Sequence, residues 1–302
     1  MKLTAINIGR RVAPGKYIVA VSGGIDSVVL LSVLVQLEGR ELVVAHFDHG
    51  MRPDSAEDER FVAGLAAQKG LAFVSSAGKL GDVSENTARQ ARYGFLRDAM
   101  TQYRAQAIIT AHHQDDVLET IVFNLQRGTG SKGLSSLRSS ETLLRPLLEY
   151  RKQDLLDYAQ RNDLIWREDQ TNASPKYARN RVRHQILTKF SEAEKTSLLQ
   201  LSKTASKLNA KISHLVKDYL TTQPSEITLH REQYRALPES VAREVLAQWL
   251  RSQTEVEISR AMIVRLDEAI RQGQNNSLAD VARGWSLHIQ RDQILLQRNR
   301  DL

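Results

Sequence analysis

The chain has 302 residues, 41% hydrophobic and 25% charged, with a formal net charge of +7 from 42 Lys+Arg against 35 Asp+Glu. This is a globular composition, and at about 150 residues per domain the length implies two domains. The absence of cysteine excludes a disulfide framework, a Cys-ligated zinc or iron–sulfur site and a thiolate nucleophile. The longest apolar runs, Tyr17–Val21, Val28–Leu31 and Leu42–Ala45, fall far short of the ~18 residues a bilayer requires. Met1-Lys2-Leu3-Thr4 opens no signal core, so a cytoplasmic protein without membrane contact is expected. The positive charge favours a polyanionic partner only weakly.

The first half alternates strand and helix patterns. Tyr17–Val21 is a short continuous apolar run, as a strand buried on both faces should be. After Ser22-Gly23-Gly24, Asp26-Ser27 opens an apolar helix reaching about Leu37. Leu42–Phe47 predicts the next strand, Ser55–Lys69 a helix, Leu71–Ser75 a weaker strand and Glu85–Tyr103 an amphipathic helix. Ala107–Thr110 and Asp115–Gln126 complete the alternation as strand and helix. The pattern implies right-handed crossovers and an α/β domain built on a parallel, Rossmann-like sheet. Ligands of such sheets bind at the strands' carboxyl ends, where loops Ser22–Ser27, His46–Asp54 and Ala111–Asp116 fall.

From about Ser191 the pattern turns helical, which sets the expected domains at 1–190 and 191–302. Leu198, Leu201, Ala205, Leu208, Ile212, Leu215 and Tyr219 follow an a/d heptad spacing. That spacing reads either as a coiled-coil seam, which would make a homodimer, or as a long helix packed within its own domain. The second reading is favoured, because sustained coiled coils want more heptads and complementary flanking charges. Two amphipathic helices follow, around Val241–Trp249 and Ile258–Ile270. Trp285–Ile289 and Ile294–Gln297 predict a terminal hairpin.

The strongest chemical signal is Val21-Ser22-Gly23-Gly24-Ile25-Asp26-Ser27 between a buried strand and a helix. Paired glycines let backbone N–H groups approach an anion, the serines add hydroxyls, and the helix N-terminus adds its dipole. A carboxylate there is repulsive to phosphate unless a cation mediates, so Asp26 points to Mg²⁺ between itself and phosphate oxygens. A plain strand-to-helix turn with Asp26 or Ser27 as N-cap is the alternative. His46, Asp48 and His49 form a cluster that reads as a substrate loop more readily than a metal site. Glu85, Arg89 and Arg92 lie within helical reach of one another. His112, Asp115, Asp116 and Glu119 gather at a helix start, where carboxylates would hold an ammonium and take its proton. Lys176, Arg179, Arg181 and Arg183 lie in an acid-free run, Thr171–His184, suited to phosphate contacts.

The Ser-Gly-Gly-Ile-Asp-Ser loop resembles the pyrophosphate loop of the N-type ATP pyrophosphatases. With Glu85–Tyr93, His112–Gly130, Arg145-Pro146-Leu147-Leu148, Trp166–Asn172 and Tyr177–His184, in that order and at about that spacing, residues 16–190 resemble the tRNA(Ile)-lysidine synthetases. Thr188 stands where that family usually has proline. The chain resembles a short form lacking the second C-terminal domain. The resemblance implies ATP as cosubstrate with Mg²⁺ at Asp26, and Ser22, Gly23, Gly24, Ile25, Asp26 and Ser27 as the nucleotide loop. It also implies tRNA(Ile) with a CAU anticodon and free L-lysine as partners. The cytosine oxygen at C2 would attack the α-phosphorus, and lysine would then displace AMP. Asp26, Arg92, His112 and Asp116 are the implied catalytic residues: Arg92 on phosphate or base, Asp116 and His112 on the lysine. Arg127, Lys132, Lys176, Arg179, Arg181 and Arg183 are the implied RNA contacts.

Overall fold

The computed structural model describes residues 3–48, 50, 55–78, 85–135, 137–167, 178–282 and 284–299, with the backbone alone at 85, 86, 178 and 179. The chain forms two compact units, Met1–Ala205 and Ser206–Leu302. In the first, α1 (Ala5–Gly9) and β1 (Gly15–Ala20) lead to α2 (Ile25–Leu34), β2 (Arg40–Asp48), α3 (Ser55–Gln68) and β3 (Ala72–Ala77). Then come α4 (Glu85–Gln102), β4 (Ala107–Ile109), α5 (Gln114–Gln126), α6 (Ser131–Leu134), β5 (Leu143–Leu144), α7 (Lys152–Arg161) and α8 (Ala178–Arg181). A π-helical turn, Val182–Ile186, and a 3-10 turn, Leu187–Lys189, precede α9 (Glu192–Thr221).

The expected parallel sheet is present, in the order β3-β2-β1-β4-β5, with every neighbouring pair parallel. Its central strand explains its own composition. Tyr17 and Val19 face a core shared with Val29, Leu30 and Leu34 of α2 and Leu155 and Ala159 of α7. Ile18, between them, faces Leu96 and Ala99 of α4 on the opposite side. A strand covered on both faces has no place for an alternating polar residue. The helix α2 is apolar nearly all round because it too is almost wholly buried. Each such Val or Leu contributes about 1.5–3 kcal/mol on burial. Winding proceeds outward from β1 through β2 to β3, and in the other direction through β4 to β5. The crevice at this switch point opens between the carboxyl ends of β1 and β4.

In the second unit, β6 (Thr228–His230), α10 (Arg231–Ala236), α11 (Glu239–Gln253) and α12 (Arg260–Gln272) precede β7 (Ser277–Ala282), β8 (Trp285–Ile289) and β9 (Gln293–Arg298). The expected hairpin is β8–β9, enlarged to a four-stranded antiparallel sheet, β6-β9-β8-β7. Trp249, Leu246, Leu266 and Leu287 centre its core. Asp267, 1% exposed, accepts hydrogen bonds from Tyr234 Oη at 3.0 Å, Arg243 Nε at 3.0 Å and Arg271 Nε at 2.9 Å.

The heptad pattern of α9 is only half realised. The a residues Leu198, Ala205, Ile212 and Tyr219 are buried or half-buried, but the d residues Leu201, Leu208 and Leu215 are exposed. The inward stripe runs instead through Ser202, Asn209 and Val216, one position later. Leu198 and Leu199 pack with Leu118, Val122, Val182 and Leu187, so the start of α9 belongs to the first unit. No helix among the described residues is long and apolar enough to cross a membrane.

Candidate active site

The loop after β1 and the loop after β4 build the site from its two sides. Gly23 has φ +92°, a conformation that L side chains avoid. Gly24, the N-cap of α2, has φ −71° and makes no side-chain cap hydrogen bond. A Cβ on Gly24 would meet only Ser22 Oγ, at 3.6 Å. The fold therefore demands glycine at 23, whereas at 24 the missing side chain leaves a clear approach to the N-terminus of α2. Ser27 Oγ donates to Gly24 O at 2.8 Å and lies 3.3 Å from Ser22 Oγ. The backbone N–H of Arg167 closes the loop from outside, donating to Gly23 O at 3.0 Å. Arg167 itself is held by Glu57 at 2.9 Å and Asp58 at 2.5 Å.

His113, the N-cap of α5, is the hub of the opposite side. Its Nε2 lies 3.6 Å from both Asp26 Oδ2 and Asp116 Oδ2, and its Nδ1 lies 3.4 Å from Asp115 Oδ2. Burial alone would push the imidazole pKa down, but these carboxylates outweigh it and raise it to about 10. A protonated ring has no acceptor, so the Asp115 N–H lying 3.3 Å from Nδ1 is a contact rather than a hydrogen bond in that state. Burial would raise the Asp26 carboxyl, yet His113 and Lys152 hold it below the usual carboxylate range. Lys152 Nζ donates to Asp26 Oδ1 at 2.6 Å, and the Lys152 backbone N–H donates to Asp115 Oδ2 at 2.8 Å.

Two cavities meet along this wall. A cavity of about 280 Å³ is lined by Ser22, Asp26, Ser27, His46, Phe47, Arg92, His112 and Asp116. A second, of about 920 Å³, is lined by Ser22, Gly24, Asp26, His113, Asp115, Asp116, Glu119, Lys152, Trp166 and Arg183. Of the sequence-derived set, Ser22, Asp26, Ser27, Arg92, His112 and Asp116 line the smaller cavity, whereas Gly24 and Ile25 line the larger and Gly23 lines neither. His112 Nδ1 is 2.8 Å from Thr110 Oγ1. Arg89 and Arg92 stack on Tyr93, at 4.8 and 5.3 Å from its ring centroid. Burial raises the Tyr93 pKa, but Arg89, Arg92 and Arg145 more than reverse this and lower it.

The basic residues expected on RNA divide. Arg127, Lys132 and Arg181 are exposed, with Arg127 over the Phe123 ring at 4.8 Å. Arg183 instead turns into the larger cavity, where its Nε donates to Glu119 Oε1 at 2.5 Å. A carboxylate that is 3% exposed needs a counter-charge, and Arg183 is the cation that supplies it. Burial pushes Glu119 above the usual carboxylate range, with Arg183 pulling the other way and Asp116 adding to the rise. Lys176 and the side chain of Arg179 lie outside the described residues, as do His49, the side chain of Glu85 and residues 171–177 of the run Thr171–His184.

Sequence reasoning chose His112 over its neighbour and did not pick out Lys152. The signal for His113 was present, since a histidine between a strand end and two aspartates occupies the N-cap position. Lys152 carried no signal, because β5 and the turn before α7 bring it to Asp26 from 126 residues away.

Comparison with known proteins agrees with this geometry. Residues 3–190 match the family model described as a PP-loop domain. Over 250 residues the chain is 35% identical to a tRNA(Ile)-lysidine synthase of Solibacter usitatus, covering 79% of this chain and 56% of that protein. It is 34% identical over 239 residues to the enzyme of that name from Exiguobacterium sibiricum, covering 76% and 57%. For the Thermus thermophilus enzyme the identity is 40% over 182 residues, covering 57% and 35%. The chain spans about half the length of the first two of these relatives. With a diphosphate-type loop at the carboxyl end of its central strand and a family match over residues 3–190, the chain belongs to the PP-loop domain family.

Proposed function

We propose that this chain ligates lysine to C2 of the wobble cytidine in a tRNA(Ile) with a CAU anticodon, consuming ATP and releasing AMP and pyrophosphate. The product, lysidine, changes codon reading from AUG to AUA. The observation that carries the proposal is the similarity to proteins named tRNA(Ile)-lysidine synthase, in a chain whose anion loop adjoins a carboxylate-rich cavity. The setting is the cytoplasm, where tRNA is modified.

Each part of the reaction has a carrier. Backbone N–H groups of the first turn of α2, with Ser22 and Ser27, hold the leaving pyrophosphate. Arg92 faces the smaller cavity and offsets charge on the α-phosphate as the cytosine oxygen attacks it. Asp115, Asp116 and Glu119 present negative charge to the ammonium of lysine. Asp116, on the wall between the cavities, takes the proton as the amine attacks C2 and the C2–O bond to AMP breaks. Arg127, Lys132, Lys176, Arg179 and Arg181 serve the RNA backbone.

The donor set fits a magnesium ion shared between protein and nucleotide. Among the described residues no group of His, Asp or Glu is arranged to hold a metal by itself. Mg²⁺ needs only one or two carboxylates when phosphate and water complete its shell, and Asp26 beside the uncapped helix end offers one. Bound there, the ion supplies charge neutralisation to the departing pyrophosphate.

The test is ATP–pyrophosphate exchange together with incorporation of labelled lysine into tRNA(Ile)(CAU). Exchange and incorporation are expected. Absence of lysine incorporation under conditions that permit exchange would overturn the assignment.

A further inference from the structure

Lys152 lies at the mouth of the anion loop, and the proposed reaction as set out above gives it no task. Its backbone is fixed, since its N–H donates to Asp115 Oδ2 at 2.8 Å at the first turn of α7. Its ammonium is not fixed in the same way. It sits on a flexible four-carbon stem, 39% exposed, and reaches Asp26 Oδ1 at 2.6 Å inside the cavity of about 920 Å³. Such partly exposed ion pairs contribute little to folding. Asp26 has a second cation in any case, the His113 ring 3.6 Å from its other oxygen. A carboxylate already faced by one buried cation does not need a second one for stability.

The position has a chemical use. A divalent ion taking Asp26 Oδ1 would face an ammonium within 2.6 Å of the same oxygen, and two cations cannot share that oxygen without strong repulsion. The ammonium must leave, and an anion held in the loop at Ser22 and Gly24 would offer it oxygens in the same cavity, which also holds the carboxylates of Asp115 and Asp116. We propose that Lys152 is a transferable counter-cation of the anion loop: it neutralises Asp26 before the metal arrives, and passes to the pyrophosphate oxygens once the metal takes the carboxylate. The inference rests on reading Val21–Ser27 as a diphosphate cradle.

The test uses the full chain and needs neither tRNA nor lysine. Mn²⁺ binding would be followed by electron paramagnetic resonance, and binding of inorganic pyrophosphate by calorimetry, in the parent protein and in Lys152→Met and Lys152→Arg. Lys152→Met is expected to bind Mn²⁺ about tenfold more tightly and pyrophosphate about tenfold more weakly, the worth of one charge-assisted hydrogen bond. Lys152→Arg is expected to keep the pyrophosphate affinity within a few-fold. Equal thermal midpoints for the three proteins, expected for a half-exposed position, confirm intact folds. Unchanged Mn²⁺ and pyrophosphate affinities would overturn the proposal. So would tighter Mn²⁺ binding with no loss of pyrophosphate. Should lysine incorporation fail while these shifts appear, the assignment to lysidine formation falls and the role of Lys152 stands.

Discussion

The ring of His113 on α5 and the carboxylate of Asp26 on α2 stand 3.6 Å apart, and this contact joins the loops that follow β4 and β1. Because the His113 pKa is raised from 6.5 to about 10, the contact is linked to pH. A raised folded-state pKa contributes stability that is fully present below about pH 6.5 and is lost as the pH climbs through about 10. Urea unfolding between pH 6.5 and 10 should show stability falling by a few kcal/mol. In His113→Asn that slope should be largely absent, with a lower plateau near neutrality. A parallel slope in both proteins would remove His113 from the account.

The two glycines of the loop should separate folding from binding. Gly23→Ala forces a left-handed conformation on an L residue and is expected to cost about 1–2 kcal/mol of stability. At Gly24 the backbone is ordinary and the space is open to the neighbouring serine. Gly24→Ala should therefore change stability by less than about 1 kcal/mol while weakening pyrophosphate binding at least tenfold. Thermal unfolding and calorimetry on the pair decide this.

Asp26→Ala should abolish ATP–pyrophosphate exchange. Arg181→Ala, at an exposed residue, should leave exchange intact, weaken tRNA binding and reduce its salt slope by roughly one. If both variants lost only ATP affinity, Arg181 would not be an RNA contact.

Arg183 separates from Arg181 in the same experiment. Because it pairs with buried Glu119, Arg183→Met should lower stability by about 1–3 kcal/mol, reduced from the fully buried case by its partial exposure. It should also raise the KM for lysine with little change in the salt slope of tRNA binding. A reduced salt slope would return it to the RNA surface.

In the second unit, Asp267→Ala would leave Arg243 and Arg271 without their shared acceptor and Tyr234 with an unsatisfied hydroxyl. A loss of about 3–5 kcal/mol is expected in that unit's unfolding transition, with ATP–pyrophosphate exchange unaffected.

The parallel sheet was legible because strands buried on both faces read as continuous apolar runs, and Tyr17–Val21 is one. The anion loop was legible because its chemistry is local, contained in seven consecutive residues, Val21–Ser27. What could not be read was whatever depends on distant chain meeting. Lys152 reaches Asp26, and Arg183 reaches Glu119, through tertiary packing that no short spacing encodes. The long helix α9 shows a different limit. Its leucines repeat every seven residues, but the buried stripe drifts to Ser202, Asn209 and Val216, since a side chain's polarity does not by itself fix which face a neighbouring layer covers.

Asp26 and Asp116 line both cavities at once. Ser22 and Asp58 are shared as well, so under the proposed function the reagents of both steps would meet the same side chains. No substitution at either aspartate can then isolate one half-reaction. Variants that uncouple them must be sought where a residue borders a single chamber, Arg92 or His112 on one side and Glu119 or Arg183 on the other.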